Sequence, residues 1–196
     1  MDFTIRLTTS DLKIAEGMIG EASQCLARAE GLMERGDCSG AVEAAQHCIE
    51  LSMKSLYRLV GLKPPKTHWG QVKKDSGEED PLEKVAERLE GIQEHERVWL
   101  GKTSWIGRMW AWAHNTSLYG CLDLLASRLF DQRDAKVAID YAHDALTNCR
   151  IITNSVKLGH TKIKAQPPDA APTNPYPAPR ISGRTRRILD QPLSRF

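Results

Sequence analysis

Apolar residues recur at three- and four-residue spacing through most of the chain. In "SDLKIAEGMIGEASQCLARAEGLMERGD", Leu12, Ile14, Ala15, Met18, Ile19, Ala22, Cys25, Leu26, Ala29 and Leu32 keep that period, which marks one apolar face of a helix. Ser10 can cap this helix and Gly36-Asp37 can stop it. A second helical run reaches from Ser39 to Val60, with Ala41, Ala44, Ala45, Cys48, Ile49, Leu51, Ser52, Leu56 and Leu59 on its apolar side. Gly61 and the Pro64-Pro65 pair end it. The short link "RGDCSG" predicts that the two helices form an antiparallel hairpin.

A polar loop, "KTHWGQVKKDSGEED", separates this hairpin from the rest. Asp80-Pro81-Leu82-Glu83 then offers a capping carboxylate, a proline at the first helical position and an acid in the first turn, so a third helix is predicted over Leu82 to Gln93. A fourth covers about Arg97 to Ser117. After "CLDLLASRLFDQRD", helical in part, Asp134 introduces a last helix through Asn154, with Val137, Ala138, Tyr141, Ala142, Ala145, Leu146, Cys149, Ile151 and Ile152 on its buried side. Strand-like alternation is confined to "FTIRLT". The predicted fold is all-α: an up-and-down bundle of four to five helices over residues 1–156.

The last stretch, residues 157–196, breaks this pattern. Seven of the ten prolines lie between Pro167 and Pro192, where they remove backbone donors and forbid helix. Few large apolar residues are available to pack, and a disordered tail is expected. The tail also changes the meaning of the net charge of +2. From Lys157 onward there are eight basic and two acidic residues, so the tail carries +6 and residues 1–156 carry −4. Such a tail is either an electrostatic arm for nucleic acid or another acidic surface, or a solvated extension without a partner.

Composition excludes several classes. No apolar run is long enough for a membrane span, and "MDFTIRLTTSDLK" lacks the layout of a secretory signal, so a cytoplasmic protein is expected. The five cysteines are scattered without a C-x-x-C pair, which argues against a disulfide framework and a zinc site. No phosphate-binding glycine loop or H-E-x-x-H motif occurs, and the six histidines show no i, i+3 or i, i+4 pairing. No cofactor and no metal is expected.

Chemistry therefore concentrates in "WIGRMWAWAHNTSLYG", Trp105 to Gly120. Arg108 offers a planar fork of donors to a phosphate, and His114 can move a proton near neutral pH. RNA brings its own nucleophile, the 2′-hydroxyl, so a base and a cation suffice for transesterification. On a regular helix six residues place the two side chains about 120° apart. They share a face only if the helix ends near "HNTS", or if a two-fold dimer lines one cleft with both copies. Arg108 can equally snorkel from a buried helix and His114 can be a satisfied core residue. Trp105, Trp110 and Trp112 read as core or dimer-interface residues.

The flanking helices resemble those of HEPN domains (higher eukaryotes and prokaryotes nucleotide-binding). Ala45-Gln46, Ile49-Glu50 and Lys54, followed by Thr67-His68, match that family's second helix and its loop. Asp134, Ala135, Ala138, Tyr141 and Ala142 are similar to its closing helix. The five residues between Arg108 and His114 fit its Arg-x4–6-His motif, and "SLYG", Ser117 to Gly120, is similar to an ending found in many members. The resemblance covers about residues 10–155.

It implies a dimerising bundle with the Arg/His pair at a cleft between subunits. Arg108 and His114 would then be catalytic, with Asn115, Ser117 and Tyr119 contacting substrate and Glu50 and Lys54 supporting them from behind. From spacing alone, Glu50 and Lys54 are a helix-surface ion pair worth a few tenths of a kcal/mol. Many members are metal-independent ribonucleases, others partner a nucleotidyltransferase, and some are binding modules without catalysis. Met109 stands where active members carry Asn, Asp or His. Three readings therefore stay open: a ribonuclease, a non-catalytic nucleotide- or RNA-binding or nucleotidyltransferase-partner module, and a dimerisation scaffold with a basic tail.

Overall fold

The computed structural model describes residues 9–64, 82–111, 113, 116–117, 125 and 128–164. Helix α1 spans Thr9–Glu34. Its buried line runs Ala15, Ile19, Ala22, Leu26, Ala29, alternating four- and three-residue steps and small with large side chains. An alanine at every second contact lets a neighbouring helix approach closely, while Ile and Leu fill the gaps between. The helix stops at Gly36, whose φ of +79° is open to glycine at no steric cost. There Gly36 N donates to Met33 O and Asp37 N to Leu32 O, the paired bonds that close a helix on a left-handed residue. Asp37 caps the next helix by accepting from Gly40 N at 2.9 Å.

Helix α2 spans Cys38–Leu59 and is the centre of the molecule. Fifteen of its residues are buried, and it packs against α1 and against both later long helices. A helix covered on several sides needs small residues, and Ala41, Ala44, Ala45, Cys48, Ser52 and Ser55 provide them. The two serines bond back to Cys48 O and Ser52 O, at 2.8 and 2.6 Å, so neither hydroxyl is buried without a partner.

The region predicted as one helix from Leu82 to Gln93 is divided. Helix α3 covers only Glu83–Arg88, a two-residue strand β1 follows at Leu89–Glu90, and Gly91 turns the chain with φ +77°. The proposed Asp80 cap and Pro81 lie outside the described residues. Helix α4, Glu94–Trp110, then starts in a capping box: Gln93 accepts from the third residue and Glu96 accepts from Gln93 N at 2.8 Å. These signals were in the sequence, but the periodicity of "EGIQEHERVWL" hid the break.

The last helix, α5, spans Gln132–Lys157. Its cap is Asp131, which accepts from Arg133 N and Asp134 N, whereas Asp134 sits at the third position and accepts from Asp131 N. Asp134 thus reinforces the start instead of making it. Val137 and Ile151, expected on the buried side, are 40 % and 37 % exposed, as is Ile14 of α1 at 43 %. Each lies at the margin of an apolar face wider than the partner helices cover.

The fold continues past the expected boundary at residue 156. After a turn at Gly159, Thr161 is buried and its hydroxyl lies 2.8 Å from that of Ser155. Strand β2, Lys162–Ile163, then pairs antiparallel with β1. Lys164 N donates to Arg88 O. A two-residue pairing is too short to show alternation, so periodicity could not reveal it. The proline-rich segment from 165 onward lies outside the described residues. Among the described residues, no helix is long and apolar enough to cross a membrane.

Cys48 and Cys149 sit in the core between α2 and α5. Burial pushes the Cys48 thiol up to about 12 and raises that of Cys149 as well. In the unfolded chain a thiol ionises at about 8.5. The folded state therefore holds protons that the unfolded state releases, and this stabilisation is complete below about pH 8.5 and lost as pH rises toward 12. We expect each thiol to contribute a fall of about 1.4 kcal/mol per pH unit in that window. Urea unfolding of wild type and Cys48→Ser at pH 8 and 10.5 checks this: the variant should show the shallower loss, and equal slopes would refute it.

Candidate functional site

Helix α4 carries Arg108 in its last turn. The helix is held by pairs along its length. Asn148 Nδ2 of α5 donates to Thr103 Oγ1 across 3.2 Å, with both residues buried. At the rim Lys102 bridges to Asp144 at 2.6 Å. Trp105 and Trp110 both meet Tyr141 of α5, Trp105 edge-on with centroids 5.8 Å apart. The buried side of α4 (Glu96, Leu100, Thr103, Ser104, Ile106, Gly107 and Trp110) covers less than half of its circumference. Its outer half therefore stays in solvent.

Arg108 is on that outer half, exposed, and among the described residues its guanidinium makes no hydrogen bond or ion pair. The tryptophans divide. Trp110 is buried as packing, whereas Trp105 is half exposed at 50 % and Met109 is 40 % exposed. Regular helix ends at Trp110, and Ala111 keeps right-handed helical angles. Helical backbone is found again at Ala113 and at Thr116–Ser117. His114, Asn115 and Tyr119 lie outside the described residues, as do Trp112, Thr67 and His68.

Ser117 is not at the surface. It is buried, and its carbonyl accepts from Ser39 Oγ of α2 at 2.8 Å. This bond links the chain three residues beyond His114 to the first turn of α2. In the sequence Ser39 marks only the start of a helix, because nothing in its neighbourhood signals a contact 78 residues away.

Glu50 and Lys54 depart from the place their spacing predicts. The expected surface pair is instead a buried carboxylate, 5 % exposed, bonded to a lysine that is 21 % exposed. Gln46, also buried, donates Nε2 to the other carboxylate oxygen at 3.2 Å. The i, i+4 spacing was right, but α2 is covered around most of its circumference, so the pair turns inward. Nor does Glu50 pair with Arg108; Lys54 and Gln46 of its own helix hold it. Gln46 belongs to this set, and its place four residues before Glu50 was the available signal.

Among the described residues, no group of three or more His, Cys, Asp or Glu side chains could hold a metal ion. The chemistry present is a free guanidinium at a helix end, an apolar strip beside it, and a buried Gln46–Glu50–Lys54 string on the adjacent helix.

The family model of the HEPN domain matches residues 15–98. The match runs from α1 through the first turn of α4 and includes Gln46, Glu50 and Lys54, stopping before Arg108. No curated protein and no solved structure matches the chain.

The buried string sets a testable energy. Removing one partner of a fully buried ion pair costs about 3–5 kcal/mol. Lys54 retains some water contact, so Lys54→Met should cost about 2 kcal/mol. Urea titration reads this directly. The double variant Glu50→Gln, Lys54→Met should recover at least half of it, and a single-variant loss below about 0.5 kcal/mol would show the pair to be a surface feature.

Proposed function

We propose, from the premise that residues 15–98 form a HEPN domain, that this protein is a metal-independent endoribonuclease whose reacting pair is Arg108 and His114. The observation that carries the reading is Arg108: a guanidinium without an ion pair, exposed at the end of a helix that its neighbours hold in place. A cation left free in this way is available to a phosphate, which its planar donors fit two at a time.

In the proposed reaction, His114 takes the proton from a ribose 2′-hydroxyl and the 2′-oxygen attacks the adjacent phosphorus. Arg108 stabilises the charge that builds on the phosphorane oxygens. The P–O5′ bond breaks, the leaving 5′-oxygen receives a proton, and the products are a 2′,3′-cyclic phosphate and a 5′-hydroxyl. Asn115 and Tyr119 complete the substrate contacts in this reading. With Ser117 buried, its part is to hold the segment through its carbonyl. Glu50 and Lys54 stabilise the helix against which that segment rests.

The acting form is proposed to be a homodimer. Val98, Trp105 and Met109 are spaced by seven and four residues, so they share one face of α4, and they are 61 %, 50 % and 40 % exposed. A strip of large apolar side chains of this kind favours a partner surface. A two-fold axis there brings both copies of Arg108 to one cleft. In this arrangement Met109 acts as an interface residue, which accounts for an apolar side chain next to the arginine. Met109 also supports the alternative of a binding module without catalysis, including a partner of a nucleotidyltransferase, and a scaffold acting through its basic tail is the third possibility.

Labelled RNA incubated with the full chain in EDTA separates these. His114→Ala should lower cleavage by about 10²–10⁴ and Arg108→Ala by about 10²–10³. RNA bound but uncut by wild type would select the binding module, and binding lost only on deletion of residues 165–196 would select the scaffold. For the dimer, sedimentation should show Met109→Asp shifting wild-type dimer to monomer, with cleavage falling in parallel. A wild-type monomer would refute the shared cleft.

A further inference from the structure

A second feature lies along the same flank of α4. Between α3 and α4 is an open groove of about 270 Å³, lined by Leu82, Glu83, Ala86, Arg97, Leu100 and Gly101. Its lining is mostly aliphatic, with one carboxylate and one guanidinium at the edge. Among the described residues, neither Glu83 nor Arg97 makes a side-chain hydrogen bond or ion pair, so both polar groups are available to a ligand. A Cβ added at Gly101 would meet nothing within 4 Å. Gly101 therefore leaves open space at the lining of the groove.

Its position relative to Arg108 follows from helix geometry. Arg97 and Arg108 are eleven residues apart, three turns within about 20°, so they share a line on the helix about 16 Å apart along its axis. Gly101 falls between them on the same line. A strand laid along α4 would meet a cation, a gap with apolar walls, and a second cation. That order suits a single-stranded nucleic acid, in which unstacked bases enter pockets and phosphates meet Arg, the two cations here meeting phosphates that are not adjacent.

We propose that this groove is a base-binding subsite for single-stranded RNA, two turns of α4 from Arg108. It would take one nucleotide on the strand whose scissile phosphate lies at Arg108. The base inserts between Leu82, Ala86 and Leu100 over Gly101, and Arg97 meets a flanking phosphate. Glu83 accepts from an exocyclic amine, as carboxylates do from cytosine N4, so the subsite prefers cytosine or adenine over uracil. The inference rests on the reading of Arg108 as an RNA phosphate contact.

The test uses the full chain in EDTA with fluorescent hexamers of C, A or U whose riboses are 2′-O-methylated. These cannot be cut because the nucleophile is blocked. Wild type should bind the C and A hexamers roughly tenfold more tightly than the U hexamer. Glu83→Gln should remove that difference. Gly101→Leu should weaken all three about tenfold while the melting temperature holds or rises, since leucine is the better helix former. Wild-type affinity and preference in Gly101→Leu would overturn the subsite. So would a change in its sedimentation with RNA binding intact, which would assign the groove to a protein contact. If unmodified RNA is still cut, with Arg108→Ala inactive, the reading of Arg108 survives that result. A wild type that neither binds nor cuts RNA overturns both.

Discussion

Helix α2 is wrapped by α1, α4 and α5, and this enclosure governs the rest of the structure. A helix buried around most of its circumference can meet three neighbours only if its side chains are short, hence the run of Ala, Ser and Cys along it. The same enclosure decides the fate of its polar residues. Serines bond to their own backbone, and Glu50 draws on its own helix, with Lys54 on one oxygen and Gln46 on the other. A buried carboxylate without them would be strongly unfavourable. The polar string and the small residues are thus two consequences of one packing constraint.

Helix α4 stands in the opposite situation. It lies against α5 and α2 along a narrow side, held by a buried Asn148–Thr103 hydrogen bond and by two tryptophans on Tyr141. Among the described residues, the remaining surface is largely exposed, and it carries Arg108, the apolar strip from Val98 to Met109 and the line through Arg97 and Gly101. A well-anchored helix with an uncommitted outer face suits a site on which a substrate and a second subunit would both bear. The Ser39–Ser117 bond extends that anchoring beyond the helix, tying Ser117 to the first turn of α2.

The helical class, the first hairpin and the apolar faces were legible because a 3.6-residue period shows in any long amphipathic helix. Gly36-Asp37 was legible for the same local reason: its stop and cap involve residues within a few positions. What periodicity missed was short or distant. The β1–β2 pairing joins Leu89 to Ile163, and two-residue strands have no period to detect. The break at Gly91 was masked because "EGIQEHERVWL" keeps helical spacing across it. The cap of α5, Asp131, lies three residues before Asp134, and both aspartates qualify on composition alone.

The candidate site divides along the same line. From the sequence alone came Arg108, His114 and the spacing between them, together with the Glu50–Lys54 pairing, because side chains four apart on a helix meet whatever surrounds them. Whether that pair faced water or the core, whether Arg108 was paired or free, and that Ser117 reaches back to Ser39 were decided by the tertiary structure. Each of these depends on which helix lies alongside, and contacts between residues far apart in the chain leave no periodic trace in it.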